Sequence, residues 1–427
     1  MIDLKQNTRR ERALLVGCSL KTSSRNSPAK PSLSLNESLD ELASLTDSAG
    51  GVVVDRVAQE REHYDPAFLI GRGKLAQVVD SVREHNVDLV VFDENLSPAQ
   101  QRNIERKVGC RVIDRTQLIL DIFADRASTR EGKLQVELAQ LDYLLPRLAG
   151  RGVELSRLGG GIGTRGPGET KLESDLRKIH QRIHKIKSEL ERVRAHRGLH
   201  RQARSGVPIA TVSLVGYTNA GKSTLFNSLT QAGALASSRL FATLDPLHRR
   251  IVLPSKREII LADTVGFIHK LPPTLISAFR ATLEEIGEAD LLVHVIDVSN
   301  LHSDQQCESV RQVLADLKIA SKPILEVYNK VDLLHAPFSS SHRNAVVISA
   351  SKKLGIETLL SRIDQSLEKD PLIRARFVFD QKDGQVLSKL YSCSRLVRRS
   401  FTKDQVHVEV EAPQSVIQQL REFRRER

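Results

Sequence analysis

The eight residues 216–223, GYTNAGKS, constrain the fold of this chain more than any other feature of its sequence. They follow an apolar, β-branched run at 209–215, which reads as a buried parallel strand, and precede a helical pattern at 224–229. A strand, a GxxxxGKS turn and a helix form a phosphate-binding loop, whose N–H groups and helix N-terminus face a nucleotide's phosphates. We therefore expect a doubly wound α/β sheet with a nucleotide at its strand ends. An incidental glycine-rich turn is the alternative interpretation.

Four residues of this loop have distinct predicted roles. Gly216 and Gly221 permit backbone angles and close approaches that a Cβ atom would block. Lys222 would reach the β- and γ-phosphate oxygens, and Ser223 would give its hydroxyl oxygen to Mg²⁺. We expect Mg²⁺ as the cofactor and Lys222 as a catalytic residue.

Two segments are predicted to sense the γ-phosphate. The motif DTVG follows an apolar run at 259–262; Asp263 is suited to hold Mg²⁺ through water, and the Gly266 N–H to contact the γ-phosphate. The segment FATLD at 241–245 supplies Thr243, the candidate to complete the Mg²⁺ shell when that phosphate is present. Thr243 and Gly266 are thus further catalytic candidates. Loss of the γ-phosphate would release the FATLD segment, which is the basis of a switch.

Two motifs further along the chain predict that the base is guanine. In NKVD at 329–332, the Asp332 carboxylate can accept hydrogen bonds from N1–H and the 2-amino group of guanine, a donor pair that adenine lacks. In SAS at 349–351, a backbone N–H can donate to guanine O6. GTP is therefore the expected nucleotide. The other predicted nucleotide contacts are the remaining residues of these motifs: Tyr217, Thr218, Asn219, Ala220, Phe241, Ala242, Leu244, Asp245, Thr264, Val265, Asn329, Lys330, Val331, Ser349, Ala350 and Ser351.

The motifs GYTNAGKS, FATLD, DTVGF and NKVD together resemble those of the HflX GTPases, within the translation-factor-related class of G proteins. A glycine-rich stretch at 159–170, VIDRT at 112–116 and EGKLQVEL at 131–138 are similar to that family too, so the resemblance covers roughly residues 50–370. It implies a cytoplasmic GTPase, acting as a monomer, that associates with the large (50S) ribosomal subunit and its rRNA and acts on stalled or stressed ribosomes.

Three other functions remain open beside ribosome splitting or rescue. One is a role in ribosome biogenesis. Another is a nucleotide-switched RNA-binding adaptor without splitting activity, in which hydrolysis only times release. A metabolic P-loop phosphotransferase is the third, and Asp332 argues against it because that residue specifies guanine.

Position 267 bears on how GTP would be hydrolysed. Many small GTPases carry a glutamine after DxxG that orients the attacking water. Here the residue is Phe267, which cannot hydrogen-bond to water, so we expect slow hydrolysis by the isolated protein or help from another group. The resemblance suggests two such groups: K⁺ held by Asn219 beside the phosphates, and the ribosome itself.

The net charge of +12 is concentrated in two segments. Residues 170–204 contain eleven Lys/Arg and four Asp/Glu, and residues 371–427 contain twelve and seven. Such basic surfaces suit a polyanionic partner, whereas a solvated helix face and a solubilising tail are the alternative. Aromatic residues make up only 4% of the chain, so contacts to RNA phosphates and shape fit better than base stacking.

Composition also indicates the cellular compartment. No apolar run approaches the ~20 residues of a membrane span, and the polar N-terminus has no secretory apolar region. The four cysteines lie far apart without a CxxC pair, which argues against a zinc site or disulfide framework and for a reducing cytosol.

Apolar spacing predicts an antiparallel two-helix coiled-coil hairpin over 126–206, with steps of four and three residues along each helix. The seam residues are Leu134, Leu138, Leu141, Leu145 and Leu148 on the first helix, and Leu172, Leu176, Ile179, Ile183, Ile186, Leu190 and Val193 on the second. The connecting loop is rich in glycine and carries Arg151, Arg157 and Arg165, the predicted RNA contacts. We interpret the hairpin as an arm with a basic tip; a structural brace between domains is the alternative.

The expected architecture is therefore an α/β P-loop GTPase sheet, preceded by a small α/β domain and the coiled-coil hairpin. The predicted domains are an N-terminal α/β domain at 1–125, the hairpin at 126–206, the GTP-binding domain at 207–370 and a basic C-terminal α/β domain at 371–427.

Overall fold

The computed structural model describes residues 10–21, 34–149, 171–205, 209–230, 240–241, 243–270, 286–319, 321–334, 336, 338, 345–367, 370–380, 383–402 and 405–423. Ala242 and the three predicted RNA contacts, Arg151, Arg157 and Arg165, lie outside this part of the chain. The described residues fall into two compact units. The first unit comprises the described residues within Met1–Ala195, Ser237–Leu244 and His269–Arg280. The second unit comprises the described residues within His196–Ala236, Asp245–Ile268 and Ala281–Arg427.

The first unit contains a small α/β domain, as predicted, and its sheet is parallel. Its strands are β1 (Arg12–Leu20), β2 (Val52–Arg61), β3 (Leu89–Phe92) and β4 (Arg111–Asp114), and its helices are α1 (Leu35–Ser48), α2 (Arg72–Glu84), α3 (Pro98–Val108) and α4 (Arg115–Arg126). The strands lie in the order β2-β1-β3-β4. All four residues of β3 are buried, as expected for a parallel strand covered by helices on both faces. Capping boxes at Ser34 and Ser97 begin α1 and α3.

Two long helices follow, α5 (Arg130–Ala149) and α6 (Lys171–Ser205), and they pair antiparallel along the predicted seam. The apolar cluster that joins them consists of seam residues: Leu134, Leu138, Leu141, Ile186 and Leu190. The ion pairs between them are Arg130–Glu189, at 3.1 Å, and Arg182–Glu137, at 2.6 Å. Between the two ion pairs, the position on α5 increases by seven residues, from 130 to 137, and the position on α6 decreases by seven, from 189 to 182. The two helices therefore run antiparallel.

The other face of α5 packs on the sheet of the first unit. The Tyr143 hydroxyl donates to Asp114 Oδ1 at 2.9 Å, and Arg147 Nη2 lies 3.0 Å from Asp114 Oδ2. The prediction that Leu148 continues the seam is wrong: this side chain lines a cavity beside α3 and β4. Its neighbour Arg147 binds Asp114 at the end of β4, so this part of α5 lies against the sheet.

The second unit is built on the predicted doubly wound sheet. Its strands are β5 (Ala210–Gly216), β6 (Leu247–Val252), β7 (Glu258–Asp263), β8 (Leu291–Asp297), β9 (Ile324–Asn329) and β10 (Val346–Val347), and its helices are α7 (Lys222–Thr230), α8 (Ser303–Asp316) and α9 (Ile356–Ser366). The order is β10-β9-β8-β5-β7-β6, with only the pair β6–β7 antiparallel within this sheet. β5 therefore lies centrally, and the chain leaves it toward both edges, which places its carboxyl end at a ligand-binding crevice.

A three-stranded antiparallel sheet ends the second unit. Its strands are β11 (Leu372–Asp380), β12 (Arg395–Phe401) and β13 (Gln405–Pro413), and its helices are α10 (Gly384–Cys393) and α11 (Gln414–Gln419). The strand order is β11-β13-β12. No helix in the described part of the chain has the length and apolar character needed to cross a membrane.

Candidate nucleotide-binding site

The loop between β5 and α7 has a backbone that only glycine can adopt at two positions. Gly216 has φ of 151° and Gly221 has φ of 94°, both outside the range that other residues favour. A Cβ on Gly216 would collide with the Val295 carbonyl oxygen, and one on Gly221 with the Asn329 side chain. Both glycines are therefore required by the packing of the loop against β8 and β9.

Lys222 begins α7 and folds back over the loop. Its Nζ donates to the carbonyl oxygens of Gly216, at 3.1 Å, and Tyr217, at 2.7 Å. Only 6% of the residue is exposed, and this burial lowers its pKa to about 8. The ammonium group is thus charged at neutral pH but weakly solvated, which favours an exchange of its carbonyl partners for phosphate oxygens.

Ser223 and Asp263 provide two oxygen ligands of the kind that Mg²⁺ prefers. Ser223 Oγ donates to Asp263 Oδ2 at 2.7 Å, because β7 lies beside β5 and ends next to the start of α7. Asp263 is fully buried. The donor set fits the prediction that Ser223 binds the metal directly and Asp263 through a water molecule.

The segment after Asp263 is fixed to the phosphate-binding loop by backbone bonds. Thr218 N–H donates to the Phe267 carbonyl at 2.8 Å, and Phe267 N–H donates to the Gly216 carbonyl at 3.1 Å. A Cβ on Gly266 would lie 2.9 Å from Lys222 Nζ, so this glycine lets the segment approach the lysine closely. Phe267 itself is 2% exposed. This buried phenyl ring cannot orient an attacking water by hydrogen bonding, as a glutamine would.

Asn329 connects the phosphate side of the site with the guanine side. Its Nδ2 donates to the Ala220 carbonyl at 2.9 Å, and its Oδ1 accepts from the Ala350 N–H at 3.0 Å. The side chain is 2% exposed. One buried amide therefore joins three of the predicted motifs, the phosphate-binding loop, NKVD and SAS.

Asp332 is exposed and available to a ligand. A hydrogen bond from the Ser349 side chain makes the largest contribution to lowering the pKa of this carboxylate, and a hydrogen bond from Ser351 lowers that pKa further. Ser351 Oγ donates to Asp332 Oδ2 at 3.3 Å. An ionised carboxylate accepts two hydrogen bonds without donating, which suits the N1–H and 2-amino pair of guanine.

The carboxyl ends of neighbouring strands form one strand-end layer that carries Asp263, Asp297 and Asn329. Asp297 ends β8 and lies beside Asn329, the last residue of β9, but it was not predicted from the sequence. Lys330 Nζ lies 2.6 Å from Asp297 Oδ2, and Ser299 Oγ donates to Asp297 Oδ1 at 2.6 Å. Lys330 has φ of 67°, so the ion pair holds its side chain on a strained turn. The signal was available: the apolar run LLVHVI ends in this aspartate, as the run before DTVG ends in Asp263.

Two segments next to the predicted phosphate-sensing motifs, one at the start of FATLD and one after DTVGF, pack within the first unit. Leu240 N–H donates to Ser48 Oγ at 2.9 Å, and the Phe241 ring meets Phe123 edge-on at 4.7 Å between centroids. Thr243 is half-buried in this same unit. Its role as a Mg²⁺ ligand stays a prediction, as do those of Leu244 and Asp245.

A buried ionic cluster holds the second of these segments. Arg115 donates to the His269 carbonyl at 3.0 Å and to Asp93 Oδ1 at 2.7 Å, and Lys270 Nζ lies 2.7 Å from Asp93 Oδ2. Burial would raise the pKa of Asp93, but the charges of Arg115 and Lys270 outweigh it and lower that pKa. No sequence pattern singled out this cluster, since its members are far apart along the chain.

Comparison with known proteins identifies the parts of the chain. Three family models match it: "GTP-binding GTPase N-terminal" over residues 36–124, "GTP-binding GTPase Middle Region" over 126–204 and "50S ribosome-binding GTPase" over 211–330.

Similar whole proteins are known from several bacteria. The protein named GTPase HflX from Caldanaerobacter subterraneus subsp. tengcongensis is 46% identical over 91% of this chain and 90% of its own length. The one from Escherichia coli is 44% identical over 88% and 90%. Among solved structures, a GTP-binding protein of Sulfolobus solfataricus in complex with GDP is 27% identical, covering 84% of this chain and 98% of its own, with a TM-score of 0.44.

Proposed function

The chain belongs to the HflX family of GTPases, and we propose that it binds the large ribosomal subunit in its GTP state and splits stalled or stressed ribosomes in the cytoplasm. The observation that carries the proposal is the single strand-end layer in which Lys222, Ser223, Asp263 and Asn329 meet. A site of this kind binds GTP and responds to its γ-phosphate.

The nucleotide steps follow from the side chains of this layer. Lys222 leaves the carbonyl oxygens of its own loop and binds the β- and γ-phosphates, while the Gly266 N–H contacts the γ-phosphate. Ser223 and, when GTP is bound, Thr243 would hold Mg²⁺ directly, and the ion would supply positive charge beside the phosphates. Asp332 selects guanine. Asn219, exposed and with φ of 61°, is the proposed K⁺ ligand.

The ribosomal part of the proposal is supported by the helical hairpin and by the family description of residues 211–330 as ribosome-binding. The exposed face of α6 is basic, with Arg177, Lys178, Lys185 and Lys187 among its exposed residues. Rows of cations on a rigid helix suit the phosphates of rRNA.

Ribosome dissociation tests the proposed function. Purified intact ribosomes are mixed with the protein and GTP, and light scattering follows their separation into subunits. We expect dissociation with wild-type protein and none with Lys222→Ala, which loses the phosphate contact. If wild-type protein binds the ribosomes but leaves them intact, the proposal that it splits ribosomes is wrong, and the chain acts as a nucleotide-switched adaptor.

A further inference from the structure

The strand β12 is an open edge of the C-terminal sheet. All seven of its residues, Arg395–Phe401, are exposed, although the neighbouring strand β13 alternates between exposed or half-buried and buried positions. Because the sheet order is β11-β13-β12, only one side of β12 is paired, and no strand in the described part of the chain pairs with its outer side. The backbone N–H and C=O groups of that side are thus available to another strand.

One face of β12 carries two large apolar side chains that lie uncovered, with Arg399 between them. Leu396 and Phe401 are opposite Val410 and Val406, which belong to the buried core of this sheet. They therefore point to the side on which α10 and α11 pack. No residue of β12 is part of that core, and Leu396 is 44% and Phe401 66% exposed. No β12 side chain on this face joins the core, so Leu396, Arg399 and Phe401 remain exposed along the edge.

The charge of the strand is positive throughout. It carries Arg395, Arg398 and Arg399 and no acidic residue. Within the described residues, neither Arg398 nor Arg399 has a carboxylate within 4 Å; the Arg399 guanidinium instead lies 4.8 Å from the centre of the Phe401 ring. Arginines that lack carboxylate partners beside exposed apolar side chains are typical of protein-recognition surfaces.

We propose that β12 binds an extended, acidic segment of a partner protein, which adds to the sheet as a fourth strand. The open backbone edge supplies main-chain hydrogen bonds, Arg398 and Arg399 bind carboxylates on opposite faces, and Leu396 and Phe401 receive alternate apolar side chains. Single-stranded RNA would use the arginines but leave the edge and Leu396 without a role. The surface lies beyond residue 330, where the matched family models end.

Peptide selection tests this inference without nucleotide or ribosomes, so it is independent of the proposed function. Random twelve-residue peptides displayed on phage are selected against the full chain, and enriched peptides are synthesised for affinity measurement and hydrogen exchange. We expect enriched sequences in which two neighbouring Asp or Glu residues lie between apolar residues, and we expect slower amide exchange at 395–401 when they bind. The double variant Arg398→Glu/Arg399→Glu should weaken binding by about tenfold or more.

The matched control is Arg374→Glu/Arg376→Glu, on β11 at the opposite edge of the same sheet. It should leave peptide affinity within about twofold. Arg374 and Arg376 pair with Glu411 and Glu409, and Arg398 lies opposite Glu409, so both double variants place like charges across the sheet. Thermal unfolding is therefore measured for both, and peptide affinities are compared at a temperature at which both are folded. Three results would overturn the inference: no enriched peptide, enrichment of peptides without acidic residues, or equal loss in both double variants. Binding of a mixed-sequence RNA oligomer that is lost in the β12 variant, with no peptide enriched, would assign the strand to RNA instead.

Discussion

At the scale of single residues, the nucleotide site depends on a few atoms that have no substitute. The Asn329 amide makes one bond as donor and one as acceptor, so a residue with only one of these functions would break the link between the phosphate and guanine sides. Gly216 and Gly221 are fixed by backbone angles and by neighbouring β8 and β9. These requirements explain why the motifs could be recognised from the sequence.

The substitution Asp332→Asn tests the guanine assignment. Replacing an ionised acceptor by an amide removes one acceptor and places a donor opposite the base, so we expect GTP affinity to fall by about 1.5–3 kcal/mol, roughly 10- to 150-fold. ATP affinity should stay unchanged. Titration calorimetry with both nucleotides measures this, with the exposed Asp316→Asn as control. Equal losses for GTP and ATP would contradict the assignment.

Nucleotide affinity should also depend on the protonation of Lys222. Its pKa is lowered to about 8 in the free protein, and bound phosphate would raise it again, so binding takes up a proton above that pH. We expect the dissociation constant for GDP to increase by up to about tenfold per pH unit above pH 8 and to be flat below it. Fluorescence titration between pH 7 and 9 measures the slope. In Lys222→Arg, whose guanidinium does not titrate in this range, the slope should be absent.

At the scale of helices and strands, apolar periodicity predicted the elements that bury a regular apolar face or run. The seam of the hairpin and the strands before DTVG and NKVD follow from apolar spacing alone. β6 was not foreseen, because its central residues His248, Arg249 and Arg250 are exposed on an antiparallel edge strand. α4 was not foreseen either. It starts directly at the end of β4, where Asp114 is both the last strand residue and the helix N-cap, so no turn separates the two patterns.

The ionic cluster of the first unit should be costly to break. Arg115 is 1% exposed and binds the fully buried Asp93, so Arg115→Ala leaves a buried carboxylate with only Lys270 as its cationic partner. We expect a loss of roughly 3–5 kcal/mol in the free energy of unfolding of this unit. Urea denaturation measures it, and Arg83→Ala, on the exposed face of α2, should change it by less than about 0.5 kcal/mol. Similar values for both variants would show that the cluster is not stabilising.

The hairpin offers a second element-scale test. Ile186 is fully buried between α5 and α6, so Ile186→Ala should destabilise their pairing by about 2–5 kcal/mol. Hydrogen exchange of the amides of α6 should become correspondingly faster. His184→Ala, two residues away on the exposed face, serves as the control and should leave exchange unchanged. If both variants exchange alike, the two helices do not stabilise each other.

At the scale of the whole molecule, the division into two units could not be foreseen from the motifs. Sequence reasoning assigned FATLD and DTVGF to one GTP-binding domain. In the structure, the residues Leu240 and Phe241 and the residues His269 and Lys270 group with the N-terminal sheet and hairpin. Their partners Ser48, Phe123, Arg115 and Asp93 are distant in sequence, and only tertiary packing brings them together. The chain segments on either side of the γ-phosphate motifs therefore belong to different compact units.

The proposed function requires that the bound guanine nucleotide controls how the protein binds the large ribosomal subunit. Co-sedimentation of the purified protein with large subunits, in GDP and in a non-hydrolysable GTP analogue, tests it most directly. We expect the protein to sediment with the subunits in the analogue state and to remain in the supernatant with GDP. Ser223→Ala, which lacks the proposed Mg²⁺ ligand, should remain in the supernatant in both states. Equal binding of the wild-type protein in the two nucleotide states would contradict the claim.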